Sequence, residues 1–292
     1  MRSKTFFKTL IPFKTLLLIL VYTLSFSTLW SQTEICGTDS VIIALMEKDE
    51  EYKAAFIEAN QQITDAINQN PNIGGQLVEI PVVVHIMHNE TEEVNENIPE
   101  QQVHDAIQLL NDQFAGLEAN GHPIFNHNTL IRFTLAKIDH NGNCTNGIVR
   151  VHTDSPFGAF DDDGSDLAMK NLSRWPAENY LNIWVVQCIW SNGETNGEES
   201  CGGIGGYVYP PPANELTDGV VIRYDILGNT FEASQNLRPP VLTHEVGHYL
   251  SLHHVWGSAV HNTCEERCHS PNPPDCNELG DFVCDTAPCF GP

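Results

Sequence analysis

HEVGHYLSLHH, residues 244–254, packs four histidines and one glutamate into eleven residues with little else that is polar. His244 and His248 are four apart, so on a helix they project from one face about a turn from each other. Two imidazole nitrogens can then meet one tetrahedral ion while Glu245 stands beside it without ligating. A bound Zn2+ lowers the pKa of its water to about 7. A carboxylate in reach can take that water's proton during attack on a polarised carbonyl and pass it to a leaving amine. Val241, Leu242, Val246, Leu250 and Leu252 flank the motif, and Gly247 allows close packing, so a buried helix is expected. The plain alternative is a histidine-rich amphipathic helix that holds no metal.

The third ligand decides the class. From His244 the spacing His-Glu-x-x-His-x-x-Ser-x-x-His reaches His254, which fits the long zinc motif at every position but one. Ser251 stands where Gly normally makes a sharp turn that ends the helix and swings the third His toward the metal. Ser adopts such a backbone only at some cost. His253 is a neighbouring decoy that the spacing disfavours. The rival is a glutamate ligand from a later segment, with Glu265, Glu266 and Glu278 as candidates.

The rest of the chain sets the context. Its 292 residues suit one large domain or two modest ones, and its formal net charge of −24 argues against nucleic acid or an anionic membrane as partner. The same excess leaves carboxylates available for calcium. Residues 1–32 read as a signal peptide: a basic start, the apolar run LLLILVYTLSF, then small residues near a cut. A membrane anchor is the alternative, but the apolar core is nearer a signal's length than a full span. Nothing later could span a bilayer, so the mature protein is expected to be secreted. Nine cysteines in an exported chain point to disulfides, and the odd number leaves at least one free, metal-bound or unpartnered.

Residues 38–69 carry apolar positions at helical spacing and predict a helical pro-segment over 33–75, closed by Asn70-Pro71-Asn72 and Gly74-Gly75. LVEIPVVVHIM, IRFTLAKID, YLNIWVVQCIW and GVVIRYDIL read as strands, and PEQQVHDAIQLLNDQFAGL as a helix opened by Pro99. Residues 76–292 therefore form an α+β domain with the motif helix late. The patch Asp161-Asp162-Asp163-Gly164-Ser165-Asp166 lacks the later bidentate Glu of an EF-hand, which favours a solvated turn over a calcium loop.

LTHEVGHYLSLHHVWG resembles the zinc motif of the pappalysin family of metzincin metallopeptidases, which includes the bacterial cytophagalysins. EIPVVVHIM, IPEQQVHDAIQLLNDQFAG, WPAENYLNIWVV, GGYVYP, DGVVIRYDILG and GDFVCDTAP resemble family segments in the same order, over roughly residues 77 to 290. The resemblance implies a metzincin-type zincin fold, with a twisted mixed sheet and an active-site helix under a horizontal cleft. It also implies zinc-dependent endopeptidase activity on proteins or peptides, and calcium near the cleft, with Asp281, Asp285 and Thr286 as its candidate contacts. The substrate is expected to lie antiparallel to an edge strand near Gly205–Tyr209.

One departure concerns the methionine-bearing turn that relatives place beneath the zinc. Met1, Met46, Met87 and Met169 all precede His244, so the C-terminal subdomain is expected to be truncated and the activity of these 292 residues by themselves doubtful. Cys36, in ICGTD, could occupy the open position on zinc as a latency switch; a disulfide or a processing site near the signal are the alternatives. His85, His88, His104 and His122 show no ligand spacing and are expected to be structural or on the surface. Cys264, Cys268, His269, Cys276 and Cys284 could mimic a second zinc site, but disulfides are favoured there. Two other readings stay open: a zincin peptidase with a Glu ligand, and an extracellular adhesion or scaffold protein that binds zinc without turnover.

Overall fold

β1 (Val78–His88) is the apolar, β-branched run that the sequence marks as a strand, and its last seven residues are buried. Burial on both faces is what a strand inside a mainly parallel sheet requires. The computed structural model describes residues 36–69, 75–90, 92, 95–117, 128–155, 157–159, 164–190, 203–228, 241–255 and 281–282. The elements before β1 are α1 (Thr38–Lys48) and α2 (Glu50–Gln69). After it come α3 (Glu100–Phe114), β2 (Ile131–Leu135), β3 (Ile148–His152), β4 (Phe157–Ala159) and α4 (Ser165–Asn171). Then follow β5 (Leu181–Val186), β6 (Cys188–Trp190), β7 (Gly206–Val208), β8 (Val220–Arg223), a 3-10 turn at Tyr224–Ile226, and α5 (Val241–Tyr249).

The main sheet has six strands in the order β2-β1-β5-β8-β7, with β3 also on β1. β2 and β3 share one edge of β1 in succession, Val78 to Val82 facing β2 and Val84 to His88 facing β3. Every pairing in this sheet is parallel except β7 with β8. β4 and β6 make a separate parallel pair.

Each face of the sheet is covered. On one, Val103, Ile107 and Leu110 of α3 and Val241, Leu242 and Val246 of α5 meet Val84, Ile183, Val185 and Ile222. On the other, Val41 of α1 and Met169 of α4 join Met87, Trp184, Val186, Tyr207 and Val221. Fully burying one such side chain is worth ~1.5–3 kcal/mol. These two layers hold α5 across one face of β7 and β8.

Three sequence expectations need correction. The helix expected over 38–69 is two helices: Asp49 takes an extended backbone (φ −138°, ψ 102°), and its Oδ1 accepts the Glu51 and Tyr52 amides at 2.8 and 3.1 Å. That is a side-chain cap at the start of α2, satisfying amides that a continuous helix would have bonded internally. YLNIWVVQCIW divides at Gln187 into β5 and β6, which lie in different sheets. The acidic patch is not all solvated turn, because Asp166 lies in the first turn of α4 at 3% exposure. Its carboxylate meets Lys170 Nζ at 3.0 Å and accepts the Tyr207 hydroxyl, so it is a paired core charge; Asp161, Asp162 and Asp163 lie outside the described residues.

Candidate metal centre

α5 presents the motif and its C-terminus aims the third histidine. Ser251 N–H donates to His248 O at 2.9 Å and Leu252 N–H to Gly247 O at 2.9 Å. This pair of bonds is a Schellman closure, whose turning residue must be left-handed. Ser251 is that residue, with φ +69°. The serine therefore takes the backbone that glycine would take without strain, and the chain reverses toward the face that carries His244 and His248 despite the substitution.

The turn brings three imidazoles together. The Nε2 atoms of His244 and His248 are 3.0 Å apart, and each is 3.2 Å from Nε2 of His254. Nitrogens held 2.0–2.1 Å from one tetrahedral ion stand about 3.3 Å apart, so the spacing suits zinc. The outer nitrogens fix the tautomers. His248 Nδ1 donates to Leu252 O at 2.7 Å and His254 Nδ1 to Asp39 Oδ2 at 3.0 Å. Each of these rings then turns an Nε2 lone pair inward, an arrangement that opposes itself unless a cation lies between them. Burial first, then the neighbouring His254, holds His244 down at about 4; burial and the two neighbouring imidazoles hold His248 at about 3. Neutral imidazole is the form that ligates.

Cys36 Sγ completes a group of four ligand atoms that all lie within 4.8 Å of one another. Cys36 is buried and free, and burial, reinforced by the nearby Glu245 carboxyl, pushes its thiol far above the usual range in the absence of a cation. Glu245 is fully buried, and desolvation raises it to about 8 against the hydrogen bonds from Thr38 and Cys36. Thr38 Oγ1 donates to its Oε2 at 2.9 Å, while Oε1 has no hydrogen-bond partner among the described residues. A Cβ at position 206 would stand 2.8 Å from Glu245 Cγ, so only glycine lets β7 pass this close.

The remaining expectations sort themselves by distance. His253 is not in the cluster: its Nε2 meets Asn60 Oδ1 of α2 at 2.7 Å, and its ring packs edge-on to Phe56 and Phe282. His85 is a core residue, bonded to Asn182 Oδ1 at 2.9 Å and stacked on Trp184. His88 is buried and contacts Glu90 O, whereas His104 is exposed. Asp281 is buried at 5% exposure; Asp285 and Thr286 lie outside the described residues, as do His122, Glu265, Glu266, Glu278 and the cluster from Cys264 to Cys284. Sequence reading missed Thr38 and Asp39. Both follow Cys36 directly in ICGTD, and that adjacency was the available signal.

A helix carrying two histidines under a mixed sheet, closed by a turn that returns a third, defines a metzincin-type zinc metallopeptidase. Residues 163–291 match the family described as pregnancy-associated plasma protein-A. The chain belongs to this pappalysin family. A mutant of Tannerella forsythia promirolysin is 28% identical with a TM-score of 0.59, over 86% of this chain and 75% of that one. Mirolysin in complex with compound 9 is 34% identical with a TM-score of 0.50, over 63% of this chain and 66% of that one. Tannerella forsythia mature mirolysin in complex with a cleaved peptide is 33% identical, with a TM-score of 0.49, over 63% of this chain and 67% of that one. No curated protein matches the chain. The enzyme is accordingly a zinc metalloendopeptidase with a metzincin fold.

Proposed function

We propose that this metallopeptidase is secreted, is made as a zymogen, and cleaves proteins with His244, His248 and His254 as zinc ligands and Glu245 as general base and then acid. Residues 1–32 are the signal peptide, 33–75 the pro-segment and 76–292 the catalytic domain. The observation that carries the reading is the convergence of three Nε2 atoms at 3.0–3.2 Å beside a buried carboxyl. Zinc in that position supplies a Lewis acid that acidifies a water and polarises the scissile carbonyl. Glu245 takes the attacking water's proton on a carboxylate oxygen and delivers it to the leaving nitrogen. Asp39 and Leu252 O hold the outer nitrogens of His254 and His248, keeping both Nε2 atoms inward.

The substrate pairs antiparallel with the free edge of β7. In the zymogen that edge is taken: Cys36 bridges Gly206 in parallel, and Gly37 N–H donates to Gly206 O at 2.8 Å. Cys36 caps the metal and keeps the enzyme latent. Support for export comes from the disulfide at Cys188 and from the leader's composition; among the described residues no helix is long and apolar enough to cross a membrane. Calcium belongs to the same reading, near Asp281, Asp285 and Thr286.

Casein cleavage by the full-length, processed enzyme tests the mechanism. Glu245→Gln is expected to keep its zinc and lose ~10^2–10^4-fold in kcat. Cleavage at the wild-type rate would overturn the assignment of Glu245.

A further inference from the structure

The four residues after Ile35 each hold a different part of the site. Cys36 reaches the histidine cluster, Gly37 pairs with β7, Thr38 bonds Glu245 and Asp39 bonds His254. Thr38 is the most constrained. It is buried at 1% exposure, and its Oγ1 accepts the Val208 amide at 3.1 Å. That amide uses one lone pair of the hydroxyl, which gives its own proton to Glu245 Oε2 at 2.9 Å. The hydroxyl therefore links the edge strand that substrate would pair with to the carboxylate that would take a proton. Cys36 Sγ stands 3.8 Å from the same oxygen, a much looser contact.

We propose that Thr38 is a second, thiol-independent latch: its hydroxyl ties one carboxylate oxygen of Glu245 to the pro-segment and fastens the segment to β7, so that freeing Cys36 alone leaves the enzyme largely latent. This rests on the assignment of Glu245 as base and Cys36 as cap. Asp39 strengthens the hold from the far side, since its carboxylate on His254 Nδ1 leaves with the pro-segment. The activating event that fits three such contacts is removal of the segment, and oxidation or alkylation of the thiol is insufficient.

Two measurements on the full-length protein test this. The first is the rate at which iodoacetamide alkylates Cys36 in metal-stripped protein, followed by peptide mapping. Thr38→Val, which keeps the shape and removes the hydroxyl, is expected to raise the rate about tenfold, and Thr38→Ser to leave it near wild type. Equal rates in all three proteins would overturn the proposal without touching the metal-site reading. The second is peptide cleavage by zinc-loaded chains with the pro-segment still attached, scaled to the same chains after its removal. Cys36→Ser is expected to stay below a tenth of the processed rate, and Cys36→Ser with Thr38→Val to rise at least tenfold above that. A Cys36→Ser chain already at the processed rate overturns the Thr38 latch and leaves the cysteine cap standing. If the double variant stays as latent as wild type, both latches fall.

Discussion

The two faces of β7 each bury ionisable groups, and they treat them in opposite ways. Behind Tyr207, Lys170 is fully buried yet wholly provided for. Its Nζ meets Asp166 Oδ2 at 3.0 Å, donates to Thr217 O at 2.8 Å and lies 4.4 Å from the Tyr209 ring centroid. In front of Gly206, three imidazole nitrogens face one another and Glu245 Oε1 has no partner among the described residues. The first arrangement is complete as it stands, while the second is complete only with a cation and a reacting water. Opposed imidazoles beside an unpartnered buried carboxyl oxygen mark the candidate site, whereas the Lys170 ammonium is matched by a carboxylate, a carbonyl and a ring.

Removing a partner should therefore act with opposite sign on the two faces. Lys170→Met leaves the Asp166 charge buried without its ion pair and is expected to cost about 3–5 kcal/mol. Asp166→Asn combined with Lys170→Met should recover part of that loss in urea denaturation. In metal-stripped protein, His244→Ala is expected to be neutral or stabilising, because it removes an opposed ring nitrogen and leaves no carboxylate without its partner; a loss like that of Lys170→Met would erase the contrast. Adding zinc sharpens it: at a free concentration a thousandfold above Kd, wild type should gain about 4 kcal/mol, and Lys170→Met should gain the same increment on its lower baseline.

Acid separates the regions further. The depressed histidines favour the neutral ring in the fold, so their contribution is full above pH 6.5 and is lost as pH falls toward their folded values. Those values are about 4 for His244 and His85 and about 3 for His248. His85, buried against Trp184 and far from the metal face in chemistry, is worth at most about 3 kcal/mol of this. Thermal melts of metal-stripped protein should fall steeply from pH 6.5 to 4, and those of His85→Asn less so. Parallel curves would remove His85 from the account. The smallest effect concerns Ser251, whose left-handed backbone glycine adopts freely. Ser251→Gly should stabilise by ~0.5–1 kcal/mol with zinc affinity unchanged.

Much of this was legible in the order of residues because the determinants are local. The strand β1, the helix α3 opened by Pro99 and the spacing from His244 to His254 each depend on neighbours in sequence. Even the strained turn at Ser251 was visible as a departure from glycine. The break at Asp49 was missed because its side-chain cap competes with a helical pattern that runs through it. Asp166 was misread because its partners, Lys170 and Tyr207, are brought together by packing across the sheet. Thr38 and Asp39 lie about two hundred residues from Glu245 and His254, and no periodicity reports a contact of that range.

Zinc stoichiometry of the purified full-length protein tests the central claim most directly. Wild type is expected to hold one zinc at this site, and His254→Ala to lose it while Glu245→Gln keeps it. Zinc retained undiminished by His254→Ala would place the third ligand elsewhere in the chain and contradict the three-histidine centre.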